Sequence, residues 1–241
     1  MRVLALDTTT AAGSVALVDD ADVVAERCGD PSRTHAERLP SEILALVASA
    51  GTTLGSIDLF AVACGPGSFT GLRIGIATMQ GLAFAGDRPM AAVSALEALA
   101  QVGGIDAPPG TVVGAWMDAH RREVFSALYR VDGAQPFEPE RLAEIEPAAV
   151  GDPVATMARW HRDVDHANAI FIGDGATLYA EVIRRAAGPS ARIVDAPPLA
   201  ATIGRIAAVR AKQGVMMKPS AIRPLYVRRP DAEIARARRN S

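Results

Sequence analysis

The sequence predicts an α/β protein of two lobes, each built from a mixed β-sheet and helices. Three observations support this prediction. Hydrophobic residues make up 49% of the 241 positions, which is enough for a substantial core. Short apolar runs alternate with longer segments of helical periodicity. A cluster of glycine and proline, Gly103-Gly104 and Pro108-Pro109-Gly110, divides the chain near its middle.

The first lobe, residues 1–104, is predicted to have the order βββαβαβα. Its three opening strands lie at residues 3–6, 14–18 and 23–27, with polar turns between them. A helix over residues 34–50 begins with a capping-box pattern, Thr34 followed by Glu37, and ends before Gly51. The later elements alternate in type: a strand at 57–63, a helix at 70–85, a strand at 90–93 and a helix at 95–102.

The second lobe, residues 105–222, repeats this plan. Its predicted strands lie at 112–117, 123–129, 169–172 and 192–194, and its helices at 153–162, 177–187 and 199–213. Two lobes that each open with a hairpin or meander and continue with αβα are typical of the actin, hexokinase and chaperone ATPases, the ribonuclease H-like ASKHA fold. Residues 223–241 contain six arginines and are expected to form a basic tail that frays.

Charge and composition exclude several classes of protein. The formal net charge of -2 gives no bulk attraction to nucleic acid, so any RNA is expected to be held by another subunit. Cys28 and Cys64 form neither a zinc spacing nor a disulfide framework, which is typical of a reducing compartment, and we expect a cytoplasmic protein. No signal peptide is expected at the N-terminus, and no apolar run reaches the roughly 20 residues of a membrane span.

A hydroxyl-rich segment, Asp7-Thr8-Thr9-Thr10, follows the first predicted strand. In ASKHA enzymes this hairpin carries an acid and small residues that approach phosphate. The branched side chains of Thr8 and Thr9 would hold a phosphate away from the backbone, so a plain hairpin turn is the better interpretation.

The strongest motif is GPGSFTGLRIG, residues 65–75, which connects a buried strand to a helix. Ser68 or Thr70 is expected to cap the helix, and the missing lysine excludes a Walker phosphate loop. Gly71 and Gly75 lie on one helical face, where they permit close packing of a second helix. That helix is either the one at 34–50 or a helix of a partner. We expect Gly75→Arg to leave the chain folded and to abolish partner binding.

These motifs resemble the TsaB (YeaZ) family. The resemblance rests on LALDTT, THAERLP and GPGSFTGLRIGIATMQGLAFA in the first lobe, and on DAHRREVF, IFIGDGA and PLYVRRPDA later in the chain. It implies a non-catalytic subunit of the machinery that makes tRNA threonylcarbamoyladenosine. The implied partners are TsaD, which transfers the threonylcarbamoyl group to the adenosine beside the anticodon, then TsaE and tRNA through the complex. A homodimer is expected when TsaD is absent.

TsaD proteins are expected to hold a metal with a His-x-x-x-His pair, and here Leu39 stands four residues after His35. His161 and His166 are five apart and His120 lies in a predicted turn, so no metal site and no cofactor are predicted. The helices at 34–50 and 70–85 are instead expected to bind the partner. The residues expected to do so are His35, Leu39, Ile43, Gly71, Arg73, Gly75, Thr78, Met79 and Leu82.

The alternative is an active ASKHA enzyme, a small-molecule kinase or carbamoyl transferase. It rests on Asp7 and on the turn Gly173-Asp174-Gly175, where such enzymes present glycines to adenosine, and only weak nucleotide contact is expected there. Asp118 and Glu123 are expected to form surface ion pairs with neighbouring arginines and not an acid–base pair. No catalytic residue is predicted, and no motif of a peptidase is present.

Overall fold

The computed structural model of the chain describes residues 1–160 and 168–228. Within those residues the strands are β1 (Arg2–Asp7), β2 (Ser14–Asp19), β3 (Asp22–Cys28), β4 (Leu59–Gly65), β5 (Met90–Ser94), β6 (Val112–Asp118), β7 (Val124–Val131), β8 (Leu142–Gly151), β9 (Ile170–Ile172) and β10 (Arg192–Val194). The helices are α1 (His35–Ser49), α2 (Phe69–Ala85), α3 (Ala95–Gly103), α4 (Pro153–Trp160), α5 (Asp174–Leu178), α6 (Ala180–Ala187) and α7 (Ala200–Lys212).

Two five-stranded sheets share one topology. The first has the order β3-β2-β1-β4-β5, in which β1 pairs antiparallel with β2 and parallel with β4. The second has the order β8-β7-β6-β9-β10, in which β6 pairs antiparallel with β7 and parallel with β9. The predicted α/β ASKHA fold with two mixed sheets is therefore confirmed, as is the order βββαβαβα at the start of the chain.

Side chains alternate along the central strands, so each sheet contributes to two cores. Val3 and Ala5 of β1 face the space between the two sheets, whereas Leu4 and Leu6 face α1 and α2. In the second lobe, Trp116 and Phe171 pack with Trp160 of α4 on the outer side of the sheet. The layers thus run helices, sheet, helices, sheet, helices.

The central helix layer crosses the predicted boundary near residue 104. Helix α3, from the first half of the chain, packs against β6, β7 and β9 of the second sheet as well as its own. Helix α7, from the second half, packs against β1, β2, β4 and β5. Arg210 of α7 holds Glu97 of α3 through two hydrogen bonds of 2.6 and 2.8 Å. Residues of both predicted lobes therefore share one central core.

Two predictions for the second lobe were wrong in detail. No strand was expected at residues 142–151, where β8 lies; its glutamates and Pro147 weaken the strand pattern, and they are tolerated because β8 is the edge of the sheet. The helix expected at 177–187 is two helices, α5 and α6, joined at Tyr179. The last two residues of the predicted helix 153–162 lie outside the described residues.

The expected fraying does not hold for the first part of the tail. Leu225 donates its backbone N–H to the Cys64 carbonyl at 2.7 Å, and Arg228 donates to the Ala119 carbonyl at 2.8 Å. Residues 229–241 lie outside the described part of the chain. Among the residues that the structure describes, no helix has the length and apolar character needed to cross a membrane.

Candidate functional site

The turn between β1 and β2 is held from within. The Asp7 carboxylate accepts hydrogen bonds from the Thr9 N–H at 2.8 Å and the Thr9 hydroxyl at 2.7 Å. Asp7 is buried, and this burial raises the pKa of its carboxyl, although the Thr9 hydrogen bonds oppose the shift. The acid of the first hairpin is therefore engaged in shaping the turn.

His35 and Arg38 of α1 support the same turn. The His35 ring nitrogen Nε2 lies 3.0 Å from the Thr10 carbonyl oxygen, and the Arg38 guanidinium donates to the carbonyls of Ala11 and Ala12. Burial, and then the neighbouring Arg38 cation, lower the pKa of His35. His35 is thus a buried packing residue at the base of the hairpin.

The glycine face of α2 meets this hairpin and not another helix. A Cβ atom at Gly71 would overlap the Thr8 carbonyl oxygen, and one at Gly75 would overlap the Thr8 hydroxyl. Both alternatives in the sequence prediction, α1 and a partner helix, were therefore wrong for these glycines. Gly75→Arg is expected to disrupt the fold, so it cannot test partner binding as first expected.

The nine residues predicted to bind a partner divide by exposure. Six are buried: His35, Leu39, Ile43, Gly71, Gly75 and Met79. Thr78 and Leu82 are half-buried, and Arg73 is exposed. The predicted helices are present with nearly the predicted bounds, but the apolar stripe read from the sequence is their core-facing side.

The outer faces of α1 and α2 carry a different set of apolar residues. On α2 the exposed row is Arg73, Ala77, Gly81 and Phe84, at spacings of three or four residues. Phe84 is 83% exposed, and Leu44 on the adjoining α1 is 57% exposed. The signal for these residues was in the sequence, because Leu44 and Phe84 are large apolar residues off the buried stripe of their helices.

A cleft of about 1070 Å³ lies between the two lobes. The β1–β2 turn, the start of α2, the β6–β7 turn and residues 225–228 form its walls. Ser68 caps α2 at this cleft by accepting the Gly71 N–H at 3.2 Å, which confirms one of the two predicted caps. At the mouth, the Arg73 guanidinium lies over the Phe69 ring at 3.8 Å and donates to the Tyr226 hydroxyl at 2.9 Å.

Of the residues on which the nucleotide-binding alternative rests, Asp174 lines this cleft, whereas Asp7, Gly173 and Gly175 do not. Asp7 is buried behind Thr9, as described above. A Cβ atom at Gly173 would overlap the Trp116 carbonyl oxygen, and one at Gly175 would lie 2.8 Å from the Met117 carbonyl carbon. These glycines let the start of α5 pack against β6. Asp174 does line the cleft, where it accepts the N–H groups of Asp118 and Gly175.

The two acidic residues at the β6–β7 turn, Asp118 and Glu123, each have a charged or polar partner. Asp118 accepts the His120 N–H at 2.8 Å, and its other carboxylate oxygen lies 3.1 Å from the His120 ring. Glu123 forms an ion pair with Arg228, which lies 105 residues further along the chain and is not one of the neighbouring arginines that the sequence analysis favoured, Arg121 and Arg122. Within the described residues no group of three His, Cys, Asp or Glu side chains could hold a metal. His161 and His166 lie outside the described residues.

Comparison with known proteins identifies the relatives of this chain. A family profile described as "TsaD: tRNA N6-adenosine threonylcarbamoyltransferase" matches residues 29–236. The chain is 36% identical over 236 residues to an uncharacterized protein of Mycobacterium tuberculosis, covering 96% of this chain and 93% of that protein. It is 35% identical over 185 residues to the tRNA threonylcarbamoyladenosine biosynthesis protein TsaB of Haemophilus influenzae, covering 75% of each chain.

A solved structure agrees with these matches. YeaZ from Pseudomonas aeruginosa superimposes with a TM-score of 0.74 at 31% sequence identity, covering 93% of this chain and 99% of that one. The likeness therefore extends over both lobes and the cleft between them.

Proposed function

We propose that this chain, which belongs to the TsaB (YeaZ) family of tRNA threonylcarbamoyladenosine biosynthesis proteins, is a non-catalytic subunit that binds TsaD through the outer faces of α1 and α2. The observation that carries the proposal is the exposed row of α2, which ends in Phe84, together with the exposed Leu44 of α1. Small residues within the row, Ala77 and Gly81, allow a second helix to approach closely. TsaE and tRNA reach the chain through the complex.

The match to a TsaD profile indicates that this chain and TsaD are related in sequence. Two chains with the same fold can present equivalent helices to each other, which gives a nearly two-fold arrangement of four helices. The same surface pairs two copies of this chain when TsaD is absent. TsaD and a second copy would then compete for one surface, and sedimentation of the chain with increasing TsaD would show the homodimer disappearing.

Ala77→Arg tests the docking surface. Ala77 is exposed, so the variant is expected to keep the thermal midpoint of the native chain, while the long cation at the centre of the row abolishes copurification with TsaD. Val154→Arg is the matched control, because Val154 is 61% exposed on the outer side of the other lobe. Retained binding by folded Ala77→Arg, or equal loss in both variants, would contradict the proposed surface.

The non-catalytic role has its own support and its own test. Asp7 is the acid that an ASKHA enzyme would use, and one of its carboxylate oxygens accepts two hydrogen bonds from Thr9. The space beside Gly173 and Gly175 is occupied by the backbone of β6. We therefore expect no heat when the isolated chain is titrated with ATP and magnesium. Tight binding in that titration would favour the rival proposal of an active ASKHA enzyme.

A further inference from the structure

Residues 222–228, here called the strap, cross from the first lobe to the second along one wall of the cleft. At one end Ile222 is buried in the core beneath α1 and α2, and the Gln80 side chain of α2 donates to the Ile222 carbonyl at 3.3 Å. At the other end the Arg228 guanidinium donates to the Ala119 carbonyl and to the Glu123 carboxylate. The strap is therefore tied to both lobes.

The middle of the strap lies directly on the end of β4. The Leu225 N–H donates to the Cys64 carbonyl at 2.7 Å. At the next residue, Gly65, φ is +122° and an added Cβ would lie 2.8 Å from the Leu225 carbonyl oxygen. Glycine at this position thus permits both the turn and the close approach of the strap.

The second-lobe end of the strap holds a strained turn. His120, Arg121 and Arg122 have φ values of 56°, 55° and 64°, a left-handed conformation that is unfavourable for residues with a side chain. Arg228 binds Ala119 and Glu123 on either side of these three residues, and its guanidinium lies 5.5 Å from the Phe125 ring centroid. The position of the turn at the cleft is therefore linked to the position of the strap.

Tyr226, the residue after the middle of the strap, meets the start of the proposed docking surface. The Tyr226 ring packs against the Phe69 ring at a tilt of 30°, with centroids 5.2 Å apart, and the Arg73 guanidinium contacts both rings. Arg73 is also the first residue of the exposed row on α2. A partner helix on that row would exclude water from the cluster of Phe69, Arg73 and Tyr226. Cation–π contacts and hydrogen bonds become stronger when water is excluded.

We propose that the strap is a latch between the lobes, which a partner docked on α2 closes. Docking buries the cluster around Arg73, fixes Tyr226 and thereby holds the strap, the β6–β7 turn and the width of the cleft. The proposal rests on the proposed docking function. Because coupling between two sites is reciprocal, a weakened latch must also weaken docking by the same factor.

The far end of the latch gives the sharpest test. Arg228→Gln removes two hydrogen bonds and a cation–π contact whose partners, Ala119, Glu123 and Phe125, belong to the second lobe, so a loss of TsaD affinity would have to travel through the strap. We expect the variant to bind TsaD about 5-fold more weakly than the native chain, the lower end of typical coupling. Arg184→Gln is the matched control, since Arg184 pairs with Glu181 on the surface of α6, and we expect native affinity from it.

Hydrogen exchange of the Leu225 amide gives the second readout. In the native chain we expect TsaD to slow its exchange by about 5-fold or more, and in Arg228→Gln to slow it less. The latch would be overturned if folded Arg228→Gln bound TsaD with native affinity and TsaD slowed Leu225 exchange as much in the variant as in the native chain. Ala77→Arg would still test the docking surface separately. If Arg228→Gln fails to fold, Tyr226→Phe is tested in its place. That variant loses only the hydroxyl that accepts from Arg73, and we again expect weaker TsaD binding and less slowing of Leu225 exchange. Retained TsaD binding by Ala77→Arg would overturn both proposals.

Discussion

The inner and outer faces of α2 contain the same kind of small residue in opposite surroundings. On the inner face, Gly71 and Gly75 lie against Thr8 with no room for a methyl group. On the outer face, no atom lies within 4 Å of a Cβ built at Gly81. A glycine in a helix can therefore lie at a close packing contact or face open space, and only the surrounding fold decides which.

The largest expected effect is a loss of stability from a substitution on the inner face of α2. Gly71→Ala would push a methyl group into the Thr8 carbonyl oxygen, and backbone cannot move aside as a flexible side chain can. We expect the free energy of unfolding to fall by about 3 kcal/mol. Urea denaturation measures this loss, and a loss below about 1 kcal/mol would show that the hairpin can shift away from α2.

The next largest effect is a loss of TsaD affinity from a substitution on the outer face of α2, with little change in the free energy of unfolding. Phe84→Ala removes the most exposed aromatic side chain among the described residues, so the free energy of unfolding should change by less than about 0.5 kcal/mol. If Phe84 is an anchor of the interface, TsaD affinity should fall by about 2 kcal/mol, or roughly 30-fold. Calorimetric titration provides both affinities, and Val154→Ala on the second lobe is the control expected to bind as the native chain does.

A smaller effect tests the hairpin that the inner face contacts. Burial raises the pKa of Asp7. At pH values above the ordinary aspartate pKa, the buried carboxylate therefore destabilises the native state. We expect Asp7→Asn, which can still accept from Thr9, to raise the free energy of unfolding at pH 7. As the pH falls, the Asp7 carboxyl is protonated in the folded state before it is protonated in the unfolded state. The difference in free energy of unfolding between the two chains should therefore shrink, and it should vanish below the ordinary aspartate pKa. A difference that grows toward acid pH would contradict this account.

The smallest effect is the outer-face counterpart of Gly71→Ala. Gly81→Ala meets open space and replaces a glycine in the helix interior, so it should stabilise the chain by about 0.5 to 1 kcal/mol. Thermal unfolding of the two alanine variants side by side compares the faces directly. Destabilisation by both substitutions would mean that the two faces do not differ as described.

Local patterns were enough to predict the order of elements and the ASKHA fold. The apolar stripe of α1 and the capping box at Thr34 and Glu37 gave nearly the observed helix bounds, because both depend on neighbours three or four residues away. The same holds for Ser68, whose role as a cap is decided within one turn. The edge strand β8 escaped prediction because a half-buried edge carries a weak pattern.

The candidate site depended on contacts that no local pattern contains. Thr8 contacts Gly71 and Gly75 because β1 pairs with β4, and the end of β4 leads into α2. These two strands are far apart in the chain. The strap was expected to fray because its arginines resemble a solvated tail, yet Arg228 finds Glu123 and Ala119 in the second lobe. Apolar periodicity identified the buried side of α1 and α2, whereas partner binding requires the side that the pattern leaves exposed.

Chemical labelling at position 77 tests the central claim most directly. An Ala77→Cys variant would be made in a chain whose exposed Cys28 is serine; burial raises the pKa of Cys64 to about 11, which keeps that thiol slow to react. We expect TsaD to slow maleimide labelling of residue 77 by about tenfold or more while leaving the control Val154→Cys unaffected. Equal labelling of residue 77 with and without bound TsaD would contradict the assignment of the outer face of α2 as the docking surface.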